Sequence, residues 1–147
     1  MLDVVPGEFD NDPFKDRIEL AKSGIELYPA RQGNKITSIA VKTYSNDGFS
    51  GRIELIVGFL LDGTITGYKV IEQKETPGLG TKVTESKFAN QFKGMNPKHS
   101  NFKVKQDGGE IDAVTSATIS SRAIIDAIKR GYKNYTRFST MTDDEEE

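Results

Sequence analysis

The chain has 147 residues, 35% of them hydrophobic, enough for one packed domain and too few to expect two. Its formal charge of −2 comes from 20 basic and 22 acidic residues, and the terminal DDEEE holds five of the acids, so no nucleic-acid footprint emerges. The absence of Cys excludes disulfides, thiolate nucleophiles and Cys-ligated clusters, and a single His, His99, is too little for a histidine-based metal site or triad.

No apolar run reaches the length of a bilayer span, and MLDVVPGEFDND lacks the basic and apolar regions of a signal peptide, so the sequence as it stands reads as soluble. Met1 does not decide whether an anchor precedes it. Asp12 followed by Pro13 predicts a helix opening, a capping carboxylate and then proline at the first helical position. Phe14, Ile18 and Ala21 would share one face, and Gly24 would end the helix. From Lys35 to Tyr44, KITSIAVKTY is rich in β-branched residues and predicts a half-buried strand.

GRIELIVGFLLDGTITGYKVIEQ is the clearest pattern, two β-branched runs around Asp62-Gly63, which predicts an antiparallel hairpin. KETPGLGTK follows, where Pro77, Gly78 and Gly80 rule out regular structure. Glu85 to Phe92 predicts a short amphipathic helix with Phe88 and Phe92 on one side, and a short strand is expected at Phe102 to Val104. From about Ile119, the spacing of Ala123, Ile124, Ala127 and Ile128 predicts a helix ending near Gly131. Strands flanked by helices without βαβ alternation give an α+β class, a single domain with a twisted antiparallel sheet and a central hairpin packed by helices. The acidic tail reads as solvated.

Two loops have the composition of a binding site. In DAVTSATISSRAIIDAIKRG, residues 112 to 131, Thr115, Ser116, Thr118, Ser120 and Ser121 crowd a helix start. Ser120 or Thr118 can act as an ordinary cap. The alternative is that unpaired amides and the positive end of the helix hold a phosphate, with the hydroxyls as extra donors and Ala117 allowing close approach. No GxxxxGK[ST] is present, so this is not a P-loop. KETPGLGTK is either a plain turn or a loop packed against a planar ligand, with Glu75, Thr76 or Lys82 making polar contacts.

Together, ETPGLG at 75 to 80 and DAVTSAT at 112 to 118 resemble the two signature segments of the FMN-binding domain. That domain occurs in the G subunit of the Rnf electron-transport complex and in the C subunit of the sodium-translocating NADH:quinone reductase. ELYPA at 26 to 30, GRIELIVGF after Ser50 and the SRAIIDAI helix add to the likeness, which covers roughly Gly24 to Tyr132 and favours the Rnf type. It divides the chain into an N-terminal segment with a short helix (1–24), an FMN-binding domain (25–135) and the tail (136–147).

The resemblance implies FMN attached through a phosphoester bond to Thr118. Threonine is a weak nucleophile and no His or Cys is placed to activate it, so a separate flavin transferase is implied, using FAD and magnesium and reading Asp112 as part of its motif. The amides of Ile119, Ser120 and Ser121 would face the phosphate, with Thr115 and Ser116 as further donors. The ring would lie towards Glu75 to Gly80, over Gly78 and Gly80 and nearest Thr76 and Leu79, with Lys82 as a positive partner. Many members of the family have glycine where this chain has Ser116, a departure that removes backbone freedom. Such a domain is an electron relay. The resemblance implies membrane subunits as partners, passing electrons between ferredoxin and NAD with ion movement, and a position outside the cytoplasm on an N-terminal anchor. The rivals are a non-covalent flavin-binding module and a cofactor-free assembly domain.

Overall fold

The computed structural model describes residues 4, 9–13, 15–20, 24–75, 77–78 and 80–146, with side chains as far as 137. Five strands form one antiparallel sheet in chain order: β1 (Ile18–Leu20), β2 (Ile25–Gln32), β3 (Lys35–Gly48), β4 (Gly51–Leu60) and β5 (Ile65–Glu72). A 3-10 turn (Gly80–Thr84) and a one-turn helix α1 (Ser86–Ala89) with a further 3-10 turn (Asn90–Phe92) follow, then a 3-10 turn at Lys105–Asp107 and the long helix α2 (Thr118–Glu146). The architecture is α+β, with the hairpin of β4 and β5 at one side of the sheet. Among the described residues no helix is long and apolar enough to cross a membrane.

Strand alternation sorts the side chains onto two faces. Ile39, Val41, Ile53, Leu55, Val57 and Phe59 point to one face, where Ala123, Ile124, Ala127 and Ile128 of α2 cover them. Phe92 is fully buried beside them, edge-on to Tyr68, Phe88 and Phe102 with ring centroids 5.3 to 5.6 Å apart. On the other face Tyr28, Ala30, Ala40 and Ile56 pack with Val4, whose carbonyl accepts from the Thr66 hydroxyl.

Three expectations change. Asp12 does accept from Lys15 and Asp16 as a helix start would, but the chain then extends, and Ile18–Leu20 pairs with Leu27–Ile25 as β1. Three residues opposite an apolar partner strand outweigh an isolated start signal; Phe14 and Ala21 lie outside the described residues. At the other end, α2 continues through Gly131. That glycine lies where the helix crosses β3, and a Cβ there would meet Thr43 Cγ2 at 3.2 Å and Val41 Cγ1 at 3.3 Å. Beyond it Tyr135 stacks on Phe59 at 5.5 Å and donates to the Leu61 carbonyl at 2.9 Å, so the helix gains a reason to go on. Finally, Phe102 to Val104 forms no strand, only a single bridge from Val104 to Ile111.

Candidate functional site

The start of α2 is built by backbone geometry and one serine. The Ala117 amide donates to the Val114 carbonyl at 2.9 Å, and the Ser121 amide and hydroxyl both donate to the Ala117 carbonyl. The same Ser121 oxygen accepts from the Val114 amide at 3.0 Å, stapling the loop to the helix it enters. The turn passes through Ser116 at φ 64°, the left-handed region that favours glycine. Neither Thr118 nor Ser120 acts as the expected cap. Thr118 is the first helical residue, half-buried, and its hydroxyl has no hydrogen-bond partner among the described residues. The Thr118, Ile119 and Ser120 amides likewise meet no acceptor there, as the geometry of a helix N-terminus requires.

Ser120 turns inward instead, donating to Glu75 Oε1 at 2.6 Å. Glu75 is buried, and its carboxylate also accepts from the backbone amides of Phe49 at 2.8 Å and Ser50 at 2.7 Å. One side chain thus ties three segments together: the turn between β3 and β4, the ETPGLG loop and the first turn of α2. Glycines make the space. A Cβ on Gly80 would lie 2.6 Å from Glu75 Cβ and 2.8 Å from Ser120 Oγ, and one on Gly48 would meet Glu75 Oε1 at 3.1 Å.

Above this clasp opens a cavity of about 380 Å³ lined by Phe49, Gly80, Ser116, Ala117, Thr118, Ile119 and Ser120. Its size falls in the range of small-ligand sites, roughly 300–1,000 Å³. Phe49 is 68% exposed and Ile119 47% exposed, two of the four large apolar side chains that face solvent among the described residues. Nothing in the sequence singles out Phe49, because an aromatic in the glycine-flanked turn DGFSG looks like any turn residue.

The other expected site residues are placed differently. Asp112, Thr115 and Lys82 line a neighbouring groove of about 320 Å³ together with Phe88 and Gln91, away from Thr118. Asp112 is paired with Lys105 at 2.8 Å, and its peptide is held by Gln91. Gly78 is exposed and donates to the Thr81 hydroxyl at 3.0 Å. Ser121 and Glu75 are buried and do not line the cavity; the Glu75 carboxylate is taken up by Ser120 and by the backbone of Phe49 and Ser50. Thr76 and Leu79 lie outside the described residues. Arg122, the cation nearest in sequence to Thr118, is committed to Asp107 through two bonds of 2.8 Å.

A family model, the FMN-binding domain, matches residues 48–133, which takes in the Phe49 turn, the Glu75 loop and the start of α2. The chain is 44% identical over 139 residues to the G subunit of an ion-translocating oxidoreductase complex of Erwinia tasmaniensis, and 40% identical over 138 residues to the protein of the same name from Yersinia pestis. In both comparisons the match covers 86% of this chain and 66% of the relative, so the chain spans a little under two thirds of those proteins. Among solved structures, NqrC of Shewanella oneidensis shares the fold with a TM-score of 0.62 at 24% identity, over 79% of this chain and 61% of the other. The C subunit of the Na(+)-translocating NADH-quinone reductase from Parabacteroides distasonis does so at 0.59 and 22% identity, over 79% and 63%. With more than half of its length under the family model, including every wall of the cavity around Thr118, the chain belongs to the FMN-binding domain family.

Proposed function

We propose that this chain is an electron-transfer domain that carries FMN covalently, its phosphate esterified to the Thr118 hydroxyl, within a membrane-bound ion-translocating oxidoreductase of Rnf type. One observation carries the reading. Thr118 places a hydroxyl that has no partner among the described residues at the first position of a long helix and in the wall of a ligand-sized cavity. The residues there suit the group: three amides without acceptors among the described residues and the positive end of a helix favour a phosphate, and small side chains at Ser116, Ala117 and Gly80 leave room beside it. With Arg122 held by Asp107, those amide dipoles supply the donors for the anion. Bound there, FMN supplies the redox chemistry. The protein attaches it, orients it and sets the polarity around it.

Attachment requires a second protein, a flavin transferase working with FAD and magnesium. The Thr118 Oγ1–phosphorus bond forms, the pyrophosphate bond of FAD breaks, AMP leaves, and the hydroxyl proton is lost. Asp112 is exposed beside Thr115 and accessible to such a partner. The names of the relatives support membrane subunits of an ion-translocating complex as the other partners, and a placement outside the cytoplasm on an N-terminal anchor belongs to the same proposal.

Intact mass tests this directly. Co-expression with a flavin transferase is expected to add one FMN less one water, and Thr118→Ala to abolish the addition. An unmodified mass beside an active transferase overturns the covalent reading; FMN released on denaturation would then identify a non-covalent module, and protein that never takes up flavin an assembly domain.

A further inference from the structure

Residues 112 to 117 belong to no helix or strand, yet their backbone is tied down almost position by position. The Gln91 side chain, from the turn after α1, bonds both the amide and the carbonyl of Asp112, at 2.7 and 2.9 Å. The Ser121 hydroxyl accepts from the Val114 amide, the Ala117 amide donates to the Val114 carbonyl, and the Ala117 carbonyl receives Ser121. Ala113 and Val114 pack against the core, while Asp112, Thr115 and Ser116 stay exposed. The ties therefore fix where exposed side chains stand. Solvated bonds of this kind, and the ion pair of Asp112 with Lys105, whose side chains are both more than half exposed, each add at most about 1 kcal/mol to stability, so folding alone gains little from them.

The segment also divides between two openings. Residues 112 to 115 line the groove of about 320 Å³ beside α1, whereas residues 116 to 118 line the cavity that holds Thr118, and Ser116, at φ 64°, turns the chain from one to the other. A protein that reads the first half while delivering a group to Thr118 has to span both. On the groove's rim Lys82 and Lys87 have no ion pair among the described residues, Glu85 offsets one of them, and Asp112 is already neutralised by Lys105, so the rim offers net positive charge.

We propose that the flavin transferase seats an acidic surface in this groove, and that Gln91 is the positioning residue that holds the groove side of the acceptor segment in place relative to Thr118. This deepens the attachment proposed above and rests on it. The transfer itself is the same: Thr118 Oγ1 takes FMN from FAD, and AMP and the hydroxyl proton leave. Gln91 contributes pre-organisation. A segment already held in one conformation loses less entropy when it is bound, so the gain falls on the encounter with the transferase and not on the chemical step.

Steady-state loading of the folded, flavin-free domain by a flavin transferase with FAD and magnesium tests this, with the domain concentration varied, intact mass counting the product and circular dichroism verifying the fold. Gln91→Leu is expected to raise KM about tenfold with kcat within about twofold of native, because the freed segment must then be ordered on binding. Lys87→Glu is expected to raise KM at least about threefold, by an amount that shrinks as salt is added. Asn96→Ala removes an amide side chain that likewise makes two bonds to backbone, to the Asp62 carbonyl at 2.8 Å and from the Lys98 amide at 3.0 Å, and is expected to leave both constants at native values. Native KM in Gln91→Leu or in Lys87→Glu overturns the proposal, as does a loss confined to kcat or an equal rise of KM in Asn96→Ala. A native domain that the transferase never loads overturns the proposed function instead, so the two failures are told apart by mass before any variant is compared.

Discussion

Gln91 and Asp112 are joined as two strands would be: the Asp112 amide donates to Gln91 Oε1 at 2.7 Å, and Gln91 Nε2 donates back to the Asp112 carbonyl at 2.9 Å. A side chain thereby stands in for a backbone partner where DAVTSAT begins and no sheet is available to hold it. Replacing it by Leu removes both bonds in a largely solvated setting, with an expected cost of about 1 kcal/mol. Urea unfolding measures that cost, and faster hydrogen exchange at the Asp112 amide identifies its source.

Gly80 has no room to grow. Gly80→Ala would drive a methyl group to 2.6 Å from Glu75 Cβ and 2.8 Å from Ser120 Oγ, breaking the clasp from inside. Overpacking of this kind typically costs about 1–3 kcal/mol. A thermal melt reads the loss. Under the proposed attachment at Thr118, flavin loading in co-expression is expected to fall as well, since the first turn of α2 moves with Ser120.

Ser116 is the described non-glycine residue with positive φ, at 64°. Ser116→Gly relieves the strain and loosens the unfolded chain, two effects of opposite sign, so stability is expected to stay within about 1 kcal/mol of native. Ser116→Val places a β-branched side chain in the same conformation and is expected to lose about 1–2 kcal/mol. Equal midpoints for the two variants in chemical denaturation would show that the turn does not hold this conformation in solution.

The pair between Asp107 and Arg122 predicts a pH dependence. Hydrogen bonds from the Arg122 guanidinium, with its charge and that of Lys103 adding to them, hold the Asp107 carboxyl below its ordinary value of 3.8. A carboxyl depressed in the fold stabilises it above the unfolded value and stops doing so as the pH falls through the folded one. The advantage of native protein over Arg122→Gln is therefore expected at neutral pH and to vanish in acid below that window. NMR titration of the Asp107 carboxyl should show its midpoint returning towards 3.8 in the variant.

Much of the fold is legible in local chemistry and some of it is not. The hairpin of β4 and β5 follows from β-branched runs about Asp62-Gly63, and its turn closes with Gly63 donating to the Leu60 carbonyl at 2.9 Å. β2 is hidden in the sequence because Pro29 interrupts it. The structure resolves this through β1, which pairs only with Ile25 to Leu27, so the proline lies beyond that short strand, where no donor is needed on the free side. The Thr118 loop is legible as a motif, since small and hydroxyl residues mark a helix start. The inward role of Glu75 and the outward one of Phe49 are not, because both depend on an encounter between segments 26 and 45 residues apart.

That separation has a kinetic meaning. Neighbouring strands are also neighbours along the chain, so the sheet can zip up through successive short closures, whereas the contact of Ser120 with Glu75 awaits the docking of the final helix. Because closing longer loops costs more entropy, assembly is expected to run from meander to helix. A nascent chain arrested halfway would possess its ETPGLG segment and five paired strands yet lack the wall around Thr118. Completion of that wall is therefore a late milestone in the maturation of the molecule, and with FMN attached at Thr118 as proposed, its loading would report that folding has finished.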